Sequence, residues 1–249
     1  MSARPRGKEP RLLEELTSTE FKKLASTKPL FIVAFGSVEE HGEHLPLCTD
    51  SYQAEDVARR VALEFDGIIC PPIRYGDCRS TRNIPGTLSL SFDTLKALVR
   101  DILSELDRNG ADKILLLTGH AGSAHMIALR IGAQEVVERS PRLKVMLLSD
   151  YDLAYELRGK EFPEDDGHGG LIETSRMLGI RPDLVRSARP KGRSRAPKFM
   201  ILPDPEKYLP TGIMGDTSAA SAKKGRTIDD YIVGRLCDLV QKNLGIRRV

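Results

Sequence analysis

This sequence predicts a three-layer α/β/α fold around a central, mainly parallel sheet, and two observations predict it. Four short apolar runs, at 29–36, 67–73, 113–119 and 143–149, are continuous rather than alternating, as strands buried on both faces require. Amphipathic stretches of helical period separate or follow them, at 52–65, 92–108 and 125–138, which implies right-handed βαβ crossovers.

The elements follow in order along the chain. Residues 1–10, "MSARPRGKEP", are rich in proline and charge and are expected to be disordered, leaving 11–249 as one domain. In "LTSTEF", Thr17 is placed as an N-cap with Glu20 completing a capping box and Leu16 and Phe21 forming a hydrophobic staple, so a short helix should run to about residue 26. The strands and helices named above then alternate. From 150 to 225 periodicity is weak and glycine and proline are frequent, which suits a long functional excursion or a small subdomain. A last helix is expected over 228–244.

Composition narrows the class only a little. A chain of 249 residues, 40% hydrophobic and 29% charged, can bury a sizeable core without disulfides or metal. The net charge of +3 does not by itself imply nucleic acid. The basic run "RSARPKGRSRAPK" (186–198) has no interleaved aromatic for base stacking, so it is a solvated loop or a clamp for a substrate phosphate rather than a nucleic-acid site. Cys48, Cys70, Cys78 and Cys237 form no CxxC pair, which excludes a zinc ribbon and suits free thiols in a reducing cytosol. No apolar run approaches the ~20 residues that span a bilayer, so a cytoplasmic protein without membrane contact is expected.

The chemistry is concentrated in "GSVEEHGEHLPLCTD" (36–50), which follows the first predicted strand. In an open α/β sheet, ligands bind at the carboxyl ends of strands. In an extended backbone Glu39 and His41 point to one side, and Asp50 arrives nine residues after His41 as a second carboxylate or as the N-cap of a helix from Ser51. Glu40 and Glu43 read as solvated charges, and His44 as a hydrogen-bonded packing residue. "TGHAGSAH" puts His120 after the third predicted strand, and "DDGHGGLIETS" holds His168 among glycines with Glu173 five residues on. His125 reads as a helix-surface residue. Imidazole with carboxylate and no suitable thiolate favours zinc, manganese, iron or cobalt. One bridging carboxylate lets such a set hold two ions for hydrolysis.

The successive motifs "GSVEEHGEHLPLCTD", "RNIPGT", "TGHAGS", "GHGGLIETS" and "GIMGDTSAASAKKG" resemble those of the creatininase family of metal-dependent amidohydrolases. The resemblance implies an α/β/α layer fold, usually in a hexamer, and a small-molecule amide substrate. It places Glu39, His41, Asp50 and His120 on metal-binding positions, with Asp50 bridging two divalent ions (zinc, manganese or iron), and gives His168 and Glu173 roles in catalysis beside them. The chain also departs from the pattern. In the family's creatinine-hydrolysing members a tyrosine and a glutamate ligand stand where this chain has Ala121 and Gly122, and a tryptophan stands where it has Glu164. One ion should therefore be held less firmly, and creatinine should be a poor substrate.

Arg74, Arg79 and Arg82 follow the second predicted strand and suit an anionic substrate, with Asp165 as a further contact. The family includes a deformylase of a phosphorylated ribosylaminopyrimidine formamide, which is the expected activity. The alternatives are creatinine hydrolysis, cleavage of a peptide-derived cofactor precursor, and a metal-binding protein without catalysis.

Overall fold

The computed structural model describes residues 9–249, so the disorder expected at the N-terminus falls, for residues 1–8, outside the described residues. The main sheet has five strands, all parallel. In chain order the elements of this layer are β1 (Arg11–Leu12), α1 (Ser18–Ala25), β2 (Leu30–Phe35), α2 (Thr49–Phe65), β3 (Ile68–Ile69), α3 (Phe92–Arg108), β4 (Lys113–Thr118), α4 (Ser123–Val137) and β5 (Lys144–Ser149). β1 is an edge strand that no apolar run announces; it pairs with β3 through Arg11 opposite Ile68 and Leu12 opposite Ile69.

Local chemistry explains most boundaries. The Thr17 hydroxyl accepts from the Glu20 N–H while the Glu20 carboxylate accepts from the Thr17 N–H, the expected capping box. Leu16 and Phe21 pack against the same core. The run at 67–73 yields only two strand residues because Pro71 and Pro72 have no N–H to donate to a ladder. Pairing resumes beyond them, where the Ile73 N–H donates to the Ala34 carbonyl.

Strand order is β1-β3-β2-β4-β5, so the chain leaves β2 to one side to form β3 and then crosses to the other for β4. That reversal opens a crevice at the carboxyl ends of β2 and β4. Alternation along the strands divides the core. Leu30, Ile32, Ala34, Leu115 and Leu117 face one layer, with α2 and the elements after β5, and Phe31, Val33, Phe35, Ile114 and Leu116 face α1, α3 and α4.

The weakly periodic segment after β5 is structured. It forms α5 (Asp150–Ala154), α6 (Leu171–Ile180), a small antiparallel pair of β6 (Lys191–Gly192) with β7 (Gly215–Asp216), and then α7 (Ala222–Leu244), which starts six residues before the expected 228. α6 escapes a cap search because Gly170 occupies its N-cap; the cap comes from Asp166, whose two oxygens accept the N–H groups of Leu171 (2.5 Å) and Ile172 (3.0 Å). α6 and α7 cross at Gly225, where a Cβ would lie 1.9 Å from the Ser175 carbonyl oxygen.

A buried ion triad ties these helices to the sheet. Arg176 of α6, fully buried, donates from Nη2 to Asp150 (2.7 Å), the first residue of α5 directly after β5, and from Nε to Asp229 (2.6 Å) of α7. Removing one partner would strand a charge out of water. Asp229→Ala should therefore lower unfolding free energy by about 3–5 kcal/mol, measured by urea titration; a loss within experimental error would show that the triad does not hold α6.

Candidate metal centre

The crevice brings six of the sequence-predicted residues together. Glu39 and His41 lie in the loop after β2, Asp50 in the first turn of α2, His120 just after β4, His168 in the loop before α6, and Glu173 in the first turn of α6. Asp50 is not an N-cap: the helix begins one residue earlier, at Thr49, and no side chain caps it. Its carboxylate turns inward, where Ser37 Oγ donates to Oδ2 at 2.6 Å. The loops meet this closely because Gly119 leaves room; a Cβ there would lie 2.1 Å from the Asp50 carbonyl oxygen.

Backbone carbonyls fix the tautomers, since a carbonyl can only accept. His41 Nδ1 lies 3.0 Å from the Glu39 carbonyl, so Nδ1 carries a proton and Nε2 faces Asp50 Oδ1 at 3.0 Å. His120 Nε2 donates to the Asp77 carbonyl at 2.9 Å, which turns Nδ1 toward Asp50 Oδ2 at 3.1 Å and Glu39 Oε2 at 2.9 Å. His168 Nε2 donates to the Glu40 carbonyl at 2.8 Å, and its ring lies 4.2 Å from that of His41, centroid to centroid. Glu173 Oε2 accepts the Gly169 N–H at 2.7 Å and stands 3.4 Å from His41 Nε2.

Three carboxylates, Glu39, Asp50 and Glu173, are thus buried within reach of imidazoles, and among the described residues their ion-pair partners are those imidazoles rather than Lys or Arg. Burial opposes charge on His41, yet Asp50 and Glu173 outweigh it and raise its pKa to about 10. Burial pushes Glu39 upward, and His120 and His168 reverse this and hold it at about 2. Burial keeps the Glu173 carboxyl above its ordinary range despite the pull of His41 and His168. The cluster is built to hold positive charge between Asp50 and the two rings.

Two expectations are corrected. His125 is not on the helix surface: it is fully buried, and its Nδ1 accepts the Asp77 N–H at 3.3 Å while Nε2 donates to Thr118 Oγ1 at 3.1 Å. It lies in the first turn of α4, which points at the crevice, and its ring meets His120 edge-on at 4.9 Å. Burial, then the neighbouring His120, lowers its pKa to about 3. Glu40 is not a solvated charge; it is buried, and Oε2 accepts the Gly42 N–H at 2.9 Å. His44 matches its expected packing role, buried with Nε2 2.8 Å from Thr174 Oγ1.

The predicted substrate contacts are placed differently from one another. Arg79 and Arg82 line a cavity of about 540 Å³ together with Asp77, Asn83, Ser91 and Glu206. Asp77 connects that cavity to the cluster, since its carboxylate pairs with Arg79 at 3.0 Å and its carbonyl holds His120. Arg74 is tied to Glu55 by two hydrogen bonds, 2.7 and 2.9 Å, and lines a separate cavity with Leu12 and Glu14. Asp165 is exposed, and its neighbour Asp166 is the residue turned inward. Thr81, which donates to Glu39 Oε1 at 2.5 Å, has no signal in the sequence that would have singled it out. Asp77 likewise acts through its backbone, which any residue type could supply.

A parallel sheet whose switch point carries a buried set of imidazoles and carboxylates defines a scaffold for metal-assisted hydrolysis. The chain belongs to the creatininase family: the family model described as creatinine amidohydrolase matches residues 14–240. It is 32% identical over 234 residues to the mycofactocin precursor peptide peptidase of Mycobacterium ulcerans, covering 87% of this chain and 86% of that protein. It is 29% identical to the creatinine amidohydrolase of Pseudomonas putida, covering 92% and 95%. Solved creatininase structures superpose with a TM-score of 0.84 at 27% identity, covering 95% of this chain and 98% of that chain. They include a form titled Creatininase Mn, at a TM-score of 0.84, and a mutant of Zn-Zn type, at 0.83, each 27% identical. The protein is a creatininase-family amidohydrolase.

The His125 bridge gives a direct check. His125→Phe keeps a ring but leaves the Asp77 N–H without its acceptor, so stability should fall by about 1–3 kcal/mol in thermal or urea unfolding. An unchanged midpoint would mean that this hydrogen bond does not contribute.

Proposed function

We propose that this chain hydrolyses a C–N amide bond of an anionic small molecule at a centre of two divalent ions, zinc, manganese or iron. Glu39, His41, Asp50 and His120 would hold them, with Asp50 shared. One observation carries this reading: both oxygens of Asp50 face imidazole nitrogens whose opposite ring nitrogens are committed to backbone carbonyls. That is how second-layer hydrogen bonds orient metal-binding histidines. The donor set also fits, being imidazole and carboxylate with the negative charge in excess. Bound ions of this kind polarise an amide carbonyl and lower the pKa of water toward neutrality.

The chain's own residues supply the rest. His168 is the more exposed of the cluster's rings, and its Nε2 is held by the Glu40 carbonyl, so Nδ1 is the atom that passes a proton to the departing nitrogen. A positioned proton-transfer group typically contributes 10²- to 10⁴-fold. Arg79 and Arg82 in the adjoining cavity give the substrate class, because guanidinium forks suit phosphate or carboxylate. The substrate we name is a phosphorylated ribosylaminopyrimidine formamide; water adds to the formyl carbon, the C–N bond breaks, and formate leaves with the free amine.

Identity to the mycofactocin precursor peptide peptidase supports a second reading, in which the amide is a peptide bond. A neighbouring cavity of about 590 Å³, lined by Leu47, Pro85, Pro190, Leu209 and Pro210, offers apolar surface for side chains. Creatinine is disfavoured, since Ala121 and Glu164 are exposed and no tryptophan exists to cover its ring.

Protein purified without chelator should hold about two divalent ions per chain, and Asp50→Ala should lose both in elemental analysis. Wild type that takes up only trace metal from zinc, manganese or iron would sink the metal reading. Formate release from the phosphorylated formamide should exceed creatinine turnover, and Arg79→Ala or Arg82→Ala should raise KM more than it lowers kcat. Creatinine turnover without formamide hydrolysis would refute the substrate while sparing the chemistry. No turnover of any amide by metal-loaded protein would favour a metal-binding protein without catalysis.

A further inference from the structure

We propose that His125 is a positioning residue for the centre: it fixes the Asp77 peptide, and that peptide sets the ring of His120. The proposal rests on the reading of His120 as a metal ligand. Four hydrogen bonds close a cycle around these residues. His120 Nε2 donates to the Asp77 carbonyl at 2.9 Å, and the Asp77 N–H donates to His125 Nδ1 at 3.3 Å. His125 Nε2 donates to Thr118 Oγ1 at 3.1 Å, and Thr118 Oγ1 accepts the His120 N–H at 3.0 Å. The cycle returns to the residue where it began and holds both its ring and its backbone.

The directions of these bonds are forced. A peptide N–H only donates, so His125 Nδ1 is bare and the ring carries its single proton on Nε2. Thr118 Oγ1, which receives two N–H groups, directs its own proton to the His120 carbonyl at 3.1 Å. With both nitrogens committed, His125 is not itself a ligand, although its ring meets that of His120 edge-on at 4.9 Å.

The loop around Asp77 shows why a residue from α4 is needed. On either side of this residue the loop is tied to 89–90: the Gly76 carbonyl accepts the Leu90 N–H at 2.8 Å, and the Cys78 N–H donates to Ser89 Oγ at 2.9 Å. Between those anchors the Asp77 N–H has His125 as its one acceptor among the described residues. The Asp77 carboxylate is turned to the cavity, where it pairs with Arg79 at 3.0 Å, so it does not press the peptide against His120. Gly76 allows the approach, since a Cβ there would lie 2.8 Å from His125 Nδ1 and 2.9 Å from the Gly36 carbonyl oxygen. The His120 ring is thereby fixed with Nδ1 toward Asp50 and Glu39, and loss of a partner that orients a metal-binding histidine typically costs about 10- to 100-fold in metal affinity.

The test separates the two ends of the ring. Asn places its amide oxygen where Nδ1 stands, and Gln places its amide group where Nε2 stands, so His125→Asn keeps an acceptor for Asp77 and His125→Gln keeps only the contact with Thr118. Metal-stripped wild type, His125→Phe, His125→Gln and His125→Asn are titrated with Co(II) by calorimetry and visible absorption, beside urea unfolding of each. His125→Phe and His125→Gln should weaken one Co(II) site by about 10- to 100-fold and alter its absorption bands, and His125→Asn should stay within about threefold of wild type. A merely structural role would make affinity follow the unfolding midpoint, with His125→Asn no better than His125→Gln; that result, or wild-type affinity in His125→Phe or His125→Gln, overturns the proposal. Wild type gives a check that needs no folded variant: the Asp77 amide should be protected from hydrogen exchange as the β4 amides are, and rapid exchange there overturns the proposal. Wild type that binds no Co(II) would sink the metal reading, and this proposal with it, whereas failure in the variants alone leaves that reading standing.

Discussion

Asp50 is the residue on which the site depends. It is a carboxylate buried at a topological switch point, with one oxygen toward the loop after β2 and the other toward the loop after β4. A lone buried carboxylate costs several kcal/mol unless it is paired and hydrogen-bonded. The surroundings of Asp50 meet that requirement with Ser37, His41 and His120, and those residues are in turn oriented by backbone carbonyls. Polar order therefore spreads outward from one side chain.

The fold supplies this order with two rigid supports. β2 and β4 are paired over their whole length, Leu30 opposite Lys113 through Phe35 opposite Thr118, so the loops that leave them start from a fixed separation. The helices after β5 form the second support. Arg176 binds α6 to both α7 and the start of α5, and Gln53 binds α2 to α6, so His168 and Glu173 are presented by elements that cannot slide independently. Building a site on locked elements keeps its geometry within the tolerance that catalysis demands.

Much of this was legible in the sequence because its signals are local. Continuous apolar runs mark doubly covered strands, and Thr17 with Glu20 marks a helix start within four residues. The spacing of Glu39, His41 and Asp50 in one glycine-bounded motif carried the identity of the cluster. Where the reading failed, the deciding partner was distant or unmarked. Glu40 looked solvated because nothing nearby showed that its loop would fold under residues 206–212. α6 was invisible because its cap, Asp166, lies outside the usual cap position.

By itself, then, the sequence determined the layered α/β architecture, the metal-suited residue types and the family they belong to, since periodicity and short motifs are properties of the chain read in order. Only the tertiary structure decided which ring nitrogen faces which carboxylate, that His125 is a buried bridge, that Arg79 and Arg82 share a cavity from which Arg74 is excluded, and that Glu173 stands beside His41. Those facts depend on crossovers that bring residues from 39 to 173 into one crevice. Contact across that separation is set by strand order and helix packing, for which no short stretch of sequence carries a signal.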